Sequence, residues 1–85
     1  MSKTIRKKIK PIERLYLFEM HNYVCVLCNL KFIPPNGYNG KNTITNGDRW
    51  LEIDHINPIS LGGSDSLNNK QILCNVCNSK KGNKV

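Results

Sequence analysis

A small α+β domain, with a helix at its N-terminus and two CxxC turns clipping its halves together, is what this sequence predicts. Three observations carry the prediction. The chain has 85 residues, room for one domain. Its four cysteines fall as two pairs of equal spacing, Cys25–Cys28 and Cys74–Cys77. Between the pairs, Leu51 and Ile53 alternate with polar residues as in a strand, while the flanking segments have the pattern of short helices. A domain this short buries a modest share of its surface and ordinarily needs a staple beyond its core. The cysteines supply one.

The elements follow in chain order. Residues 1–10 carry dense positive charge, with Ile5 and Ile9 isolated, and read as a flexible basic arm. Pro11 suits the first position of a helix, where its missing N–H would have no partner anyway. The following IERLYLFEMHNY sets Ile12, Leu15, Tyr16, Phe18 and Met20 along a broad apolar side, predicting a helix over 11–21 with these residues in the core. YVCVLCNLKF then holds the first cysteine pair in a tight turn. PPNGYNGKNTITNGD, residues 34–48, is dense in Pro, Gly and Asn and reads as a long loop with a short strand at Thr43–Thr45.

Order returns with a strand from Arg49 through Ile53 towards His55. Asn57-Pro58 interrupts it, and Ile59 and Leu61 suggest a second short strand ended by Gly62-Gly63. After the polar SDSLNN, Ile72 and Leu73 lead into Cys74. The tail CNVCNSKKGNK fits a helix that begins just after Cys74 and stops at Gly82. Residues 11–85 thus form the folded domain.

Four cysteines in a short chain allow two disulfides. However, no apolar stretch follows the basic N-terminus to make a signal peptide, and no run approaches the roughly 18 apolar residues of a membrane span. The chain reads as cytosolic and unconnected with membranes, and there paired CxxC turns more often hold zinc. Cys25, Cys28, Cys74 and Cys77 make a closed four-thiolate shell, which leaves no position for a substrate, so this zinc is structural. A redox role would not need two pairs.

The net charge of +7 is placed at the two ends. Lys3, Arg6, Lys7, Lys8, Lys10 and Arg14 stand against Glu13 at the start, Lys80, Lys81 and Lys84 close the chain, and the body between is near neutral. Lysine and arginine displace condensed counterions from phosphate backbones, so the ends suit a nucleic acid.

Asp54 and His55 stand side by side in LEIDHINPISLGG. A carboxylate and an imidazole can share a metal, or one can hold metal while the other moves a proton. Neighbours on a strand point to opposite faces, so shared ligation needs the strand to end there.

The run DHINPISLGG, with NNKQILCNVCNSKKG after it, resembles the HNH endonuclease family over about residues 25–82. The resemblance rests on the Asp-His, the Pro and Gly-Gly spacing, the Asn-x-Gln before LC, and the CxxCN-x-x-K finish. It implies a ββα-metal (His-Me finger) core with a pair of zinc knuckles. The name-giving positions fall on His55, Asn69 and Asn78, the last an Asn rather than a His. By this resemblance His55 is the general base, and a histidine's ordinary pKa near 6.5 suits that task. Asn69 holds the imidazole through a side-chain or backbone carbonyl. Asp54 and Asn78 bind one divalent ion, Mg²⁺ or Mn²⁺, and the products carry 5′-phosphate and 3′-hydroxyl ends.

The implied substrate is double-stranded DNA, in a bacterial or phage-infected cell. Lys80 and Lys81 on the last helix, with Arg6, Lys7, Lys8 and Lys10 in the arm, would grip its phosphates. Phosphate contacts position without reading sequence, so sequence choice calls for a homodimer, a partner protein or the 34–48 loop. The rival readings are a non-catalytic zinc-binding nucleic-acid module and a protein-interaction zinc domain. The first does not account for Asp54, His55, Asn69 and Asn78 at the family's spacings, and the second leaves the basic arm without a role.

Deleting residues 2–10 is expected to weaken DNA binding and flatten its salt dependence, by roughly 0.9 in log–log slope for each phosphate the arm neutralises. Fluorescence-anisotropy titrations across salt concentrations measure this, and an unchanged slope removes the arm from the interface.

Overall fold

A computed structural model describes residues 9–82. Arg6, Lys7, Lys8 and the other arm residues up to 8 lie outside the described residues, as does Lys84. Helix α1 spans Pro11–Met20, with Pro11 in its first turn and no side-chain cap from Lys10. A three-stranded antiparallel sheet follows: β1 (Thr45–Asn46), β2 (Arg49–His55) and β3 (Lys70–Cys74), in the spatial order β1-β2-β3. Helix α2 covers Asn75–Lys81 and closes the chain. Small α+β is therefore the fold, and β2, β3 and α2 make the ββα unit.

Helix α1 forms where expected and buries Phe18 as expected, but the rest of its inward face differs. Leu17 and Phe18 are fully buried, whereas Ile12, Tyr16 and Met20 are exposed at 74%, 53% and 47%. Residues at i, i+4 and i+8 share one helix face, and here that face looks away from the sheet. Behind the buried side lie Phe32, Ile44, Leu51, Ile72 and Leu73. Fully burying such a side chain contributes about 1.5–3 kcal/mol, so this cluster is the main apolar contribution to the fold.

The second strand is β3, not Ile59–Leu61, which coils into a short 3-10 turn. The Pro58 carbonyl accepts the N–H groups of both Leu61 and Gly63, which bends the chain where alternation suggested extension. β3 pairs with β2 in the register Leu51↔Cys74, Ile53↔Ile72, Asp54↔Gln71 and His55↔Lys70. Its Ile72, Leu73 and Cys74 are all buried, so it shows no alternation. The expected Thr43–Thr45 strand appears two residues later as β1, because Gly47-Asp48 forms a two-residue hairpin turn into β2.

Gly40 joins the long loop to α1. Its φ is +85°, and an added Cβ would sit 2.0 Å from the Pro11 carbonyl oxygen and 2.9 Å from Leu15 Cβ. Arg14 secures the same approach, donating to the Gly40 carbonyl at 2.8 Å and the Lys41 carbonyl at 3.0 Å. Gly40→Ala is expected to destabilise the domain by at least about 2 kcal/mol, a melting-temperature drop of roughly 10 °C. Calorimetry checks it, and an unaltered melting temperature would refute the close packing.

Candidate metal centre and active site

The four cysteines converge. The Sγ atoms of Cys25, Cys28, Cys74 and Cys77 all lie within 4.8 Å of one another. A tetrahedral ZnS₄ centre with bonds near 2.3 Å requires sulfur–sulfur edges of about 3.8 Å, and Cys28 Sγ lies 3.8 Å from Cys74 Sγ. The set fits a structural zinc.

Local structure explains the convergence. Cys25 N–H donates to the Leu30 carbonyl and Asn29 N–H to the Cys25 carbonyl, each at 2.9 Å, with Asn29 at φ 66° closing the turn. The Val26 N–H donates to the Ile72 carbonyl at 3.1 Å and docks this knuckle on β3. Cys74 ends β3 and caps α2, its sulfur accepting the Cys77 N–H at 3.4 Å.

Crowding splits the thiols electrostatically. Burial pushes the Cys25 thiol up, but N–H groups of Cys28, Cys74 and Leu27 outweigh it and bring it down to about 7. Cys77 is pushed up to about 12, by burial first and then by the neighbouring thiols. A divalent cation removes the conflict, because it favours the thiolate at every ligand. Arg49 Nη1, 3.8 Å from Cys74 Sγ and 3.9 Å from Cys28 Sγ, adds a positive charge beside the anionic centre.

The second constellation surrounds the end of β2. Asp54 Oδ2 accepts from Gln71 Nε2 at 3.1 Å and meets Lys81 Nζ at 3.1 Å. His55 contacts a different element: its Nε2 lies 2.8 Å from Asp65 Oδ1 in the loop after Gly63. Asp65 is also 3.4 Å from the buried Lys70 ammonium, which pairs in turn with Glu13 of α1. The hydrogen bond from His55, followed by that from Lys70, holds the Asp65 carboxyl below the usual carboxylate range.

Asn69 lies beneath the loop that follows His55. Its Nδ2 donates to the carbonyls of Asn57 (3.0 Å) and Ser64 (2.6 Å), and its Oδ1 accepts the Asn57 N–H at 2.9 Å. Its own carbonyl accepts the Ile56 N–H at 2.8 Å. These bonds fix the backbone on either side of the Asp65 loop, whereas the contact to the imidazole comes from Asp65. The Gly-Gly has its reason here, since a Cβ on Gly63 would sit 1.8 Å from the Asn57 carbonyl oxygen.

Asn78 projects from α2 to β2, its Nδ2 donating to Glu52 Oε1 at 2.6 Å. Lys81, expected at a phosphate, turns inward: besides Asp54 it donates to the His55 carbonyl at 3.1 Å, and its side chain is 8% exposed. Lys80 and Lys10 are exposed. Sequence reasoning missed Asp65 and did not foresee the contact between Asn78 and Glu52. Both contacts join residues ten or more apart in the chain, and no local spacing marks them.

The ββα unit thus carries a four-cysteine cluster that fits zinc and an Asp-His pair at the end of β2. The family model for HNH endonuclease matches residues 40–85, more than half of the chain, and the protein belongs to that family. No curated protein and no solved structure matches it. No helix among the described residues is long and apolar enough to cross a membrane.

Cys74→Ser, or a strong chelator acting on the wild type, is expected to release zinc and abolish the folded circular-dichroism signal, since binding and folding are coupled in such centres by about 10–16 kcal/mol. Atomic absorption together with circular dichroism tests this. A folded, zinc-free variant would contradict it.

Proposed function

We propose that the protein is a metal-dependent endonuclease that hydrolyses phosphodiester bonds in double-stranded DNA. His55 is the general base, and Asp54 and Asn78 hold one Mg²⁺ or Mn²⁺. The observation that supports this most is the Asp54-His55 pair at the end of β2, with Asn78 of α2 reaching Glu52 two residues earlier on the same strand, within the segment the family model covers.

Carboxylate and carboxamide oxygens are hard donors of the kind Mg²⁺ and Mn²⁺ take, so the donor set fits such an ion. When bound, the ion supplies charge stabilisation to the phosphate and the departing 3′ oxygen. The remaining chemistry belongs to the side chains. An ionised Asp65 only accepts hydrogen bonds, so it selects the tautomer with the proton on His55 Nε2 and leaves the Nδ1 lone pair as the base. Nδ1 takes a proton from water as the water oxygen bonds to phosphorus and the bond to O3′ breaks.

Asp54 contacts α2 and His55 contacts the Asp65 loop, so the two groups address the strand end from different sides. In-line displacement asks for that division, with the base on the attacking side and the ion on the leaving side. Asn69 keeps the loop that carries Asp65 in place. Lys80 and the arm residues Arg6, Lys7, Lys8 and Lys10 bind phosphates, with residues 1–10 as the arm and 11–85 as the nuclease domain. Lys81 contributes chiefly by fixing the strand end.

In a supercoiled-plasmid assay, wild type is expected to cut with Mg²⁺ or Mn²⁺ and not with EDTA. His55→Ala is expected to lose about 10²–10⁴-fold in rate while keeping its fold, zinc content and DNA affinity. If both proteins are folded, shift DNA on a gel and cut under no condition, the chain is a binding module instead.

A further inference from the structure

Positions three apart on α2 meet positions two apart on β2. Asn75 Oδ1 accepts the Trp50 N–H at 2.9 Å, Asn78 Nδ2 reaches Glu52, and Lys81 reaches Asp54. The middle pair has a property the others lack, because both oxygens of Glu52 are engaged by donors. Oε1 accepts from Asn78 Nδ2 at 2.6 Å, and Oε2 accepts from the Trp50 indole Nε1–H at 2.7 Å.

An indole N–H can only donate, and an ionised carboxylate can only accept. The orientation of this chain of contacts is therefore set from Trp50 outward. Glu52 must meet the amide nitrogen of Asn78, not its oxygen. Asn78 Oδ1 has no hydrogen-bond partner among the described residues. A cleft of about 400 Å³ opens here, with Trp50, Glu52 and Asn78 in its wall. A carboxamide ligates metal only through oxygen, and a half-turn about its last bond would present nitrogen instead. Partners that fix ligand orientation commonly govern metal affinity by about 10–100-fold.

We propose that Glu52 is a positioning residue that locks the Asn78 carboxamide with its oxygen free for the divalent ion, and that Trp50 locks Glu52. The inference rests on the proposed role of Asn78 as a ligand. Each oxygen of Glu52 already accepts one hydrogen bond, and the part assigned to it is played through Asn78.

Direct Mn²⁺ binding to the zinc-loaded protein, followed by loss of the free-ion electron paramagnetic resonance signal, tests this without reference to cleavage. Glu52→Gln is expected to weaken Mn²⁺ binding at least tenfold with zinc content unchanged. A through-space charge effect would fade as salt is raised, whereas the expected loss persists at high salt. The double variant Glu52→Gln/Asn78→Asp exchanges carboxylate and carboxamide, keeps the hydrogen bond, and offers the ion an oxygen in either orientation. It is expected to restore binding to the wild-type level or better.

Equal Mn²⁺ affinity in wild type and Glu52→Gln, a loss that vanishes at high salt, or no recovery in the double variant overturns the positioning role. Asn78→Ala separates the underlying reading. If wild type binds no Mn²⁺, or Asn78→Ala binds it as wild type does, Asn78 is not a ligand and both proposals fall. If only Asn78→Ala loses affinity, the ligand stands and the positioning role fails.

Discussion

The cysteine cluster is the constraint on which the rest of the molecule depends, and Cys74 is its centre. One residue ends β3 opposite Leu51, contributes a sulfur to the four-thiolate set and caps α2 by accepting the Cys77 N–H. A seven-residue helix is too short to hold itself in water, where isolated helices below about 12–15 residues are marginal. Helix α2 is therefore held by the cysteine cluster at its first turn and by the sheet along its flank. The N-terminal knuckle is held by the same cluster, with the Val26–Ile72 hydrogen bond as its second attachment.

The two faces of the β2–β3 ribbon have different chemistry. Leu51 and Ile72, with the Lys70 stem, belong to the buried side shared with α1, where Lys70 joins Glu13 to Asp65. Burial opposes the charge on Lys70, but hydrogen bonds to Glu13 and Asp65 outweigh it and raise its pKa. A buried cation held by two carboxylates fixes geometry more than it adds stability. Here the geometry it fixes is that of the residue on which His55 rests. The other face carries Trp50, Glu52 and Asp54 on β2 and meets the Asn75–Asn78–Lys81 edge of α2.

What could be read in the sequence was what local spacing encodes. The equal CxxC intervals gave the four-cysteine cluster, Pro11 and Gly82 gave helix ends, and the Asp-His run with its Gly-Gly gave the family. Periodicity misled where both sides of an element are apolar. On α1 the sequence pointed to Phe18, but the stripe Ile12–Tyr16–Met20 is as regular as the buried side, and only tertiary packing puts Leu17 inside in its place. Ile59 and Leu61 alternate like a strand but belong to a turn, while β3 reads as a continuous apolar run because it is covered on both sides. Asn46-Gly47-Asp48 did carry a hairpin signal, which the surrounding Pro, Gly and Asn obscured. Asp65 left no signal, since a single acidic residue in a polar stretch is indistinguishable from a solvated one.

The route from the cluster to the strand end is short and physically continuous. Cys77 fixes the helix that carries Asn78 one residue later and Lys81 one turn beyond. Lys81 binds both the Asp54 carboxylate and the His55 carbonyl, so a shift of α2 would move the side chain on one residue and the backbone of the next. The Asp54 and Lys81 side chains are 12% and 8% exposed, so their pairing is little screened by water and constrains geometry more than a surface ion pair would. Asn69 and Asp65 hold the opposite side of the same strand end through the loop after Gly63. The site is thus braced from two directions by elements with no sequence contiguity. The four-cysteine cluster can accordingly determine where Asp54, His55 and Asn78 stand.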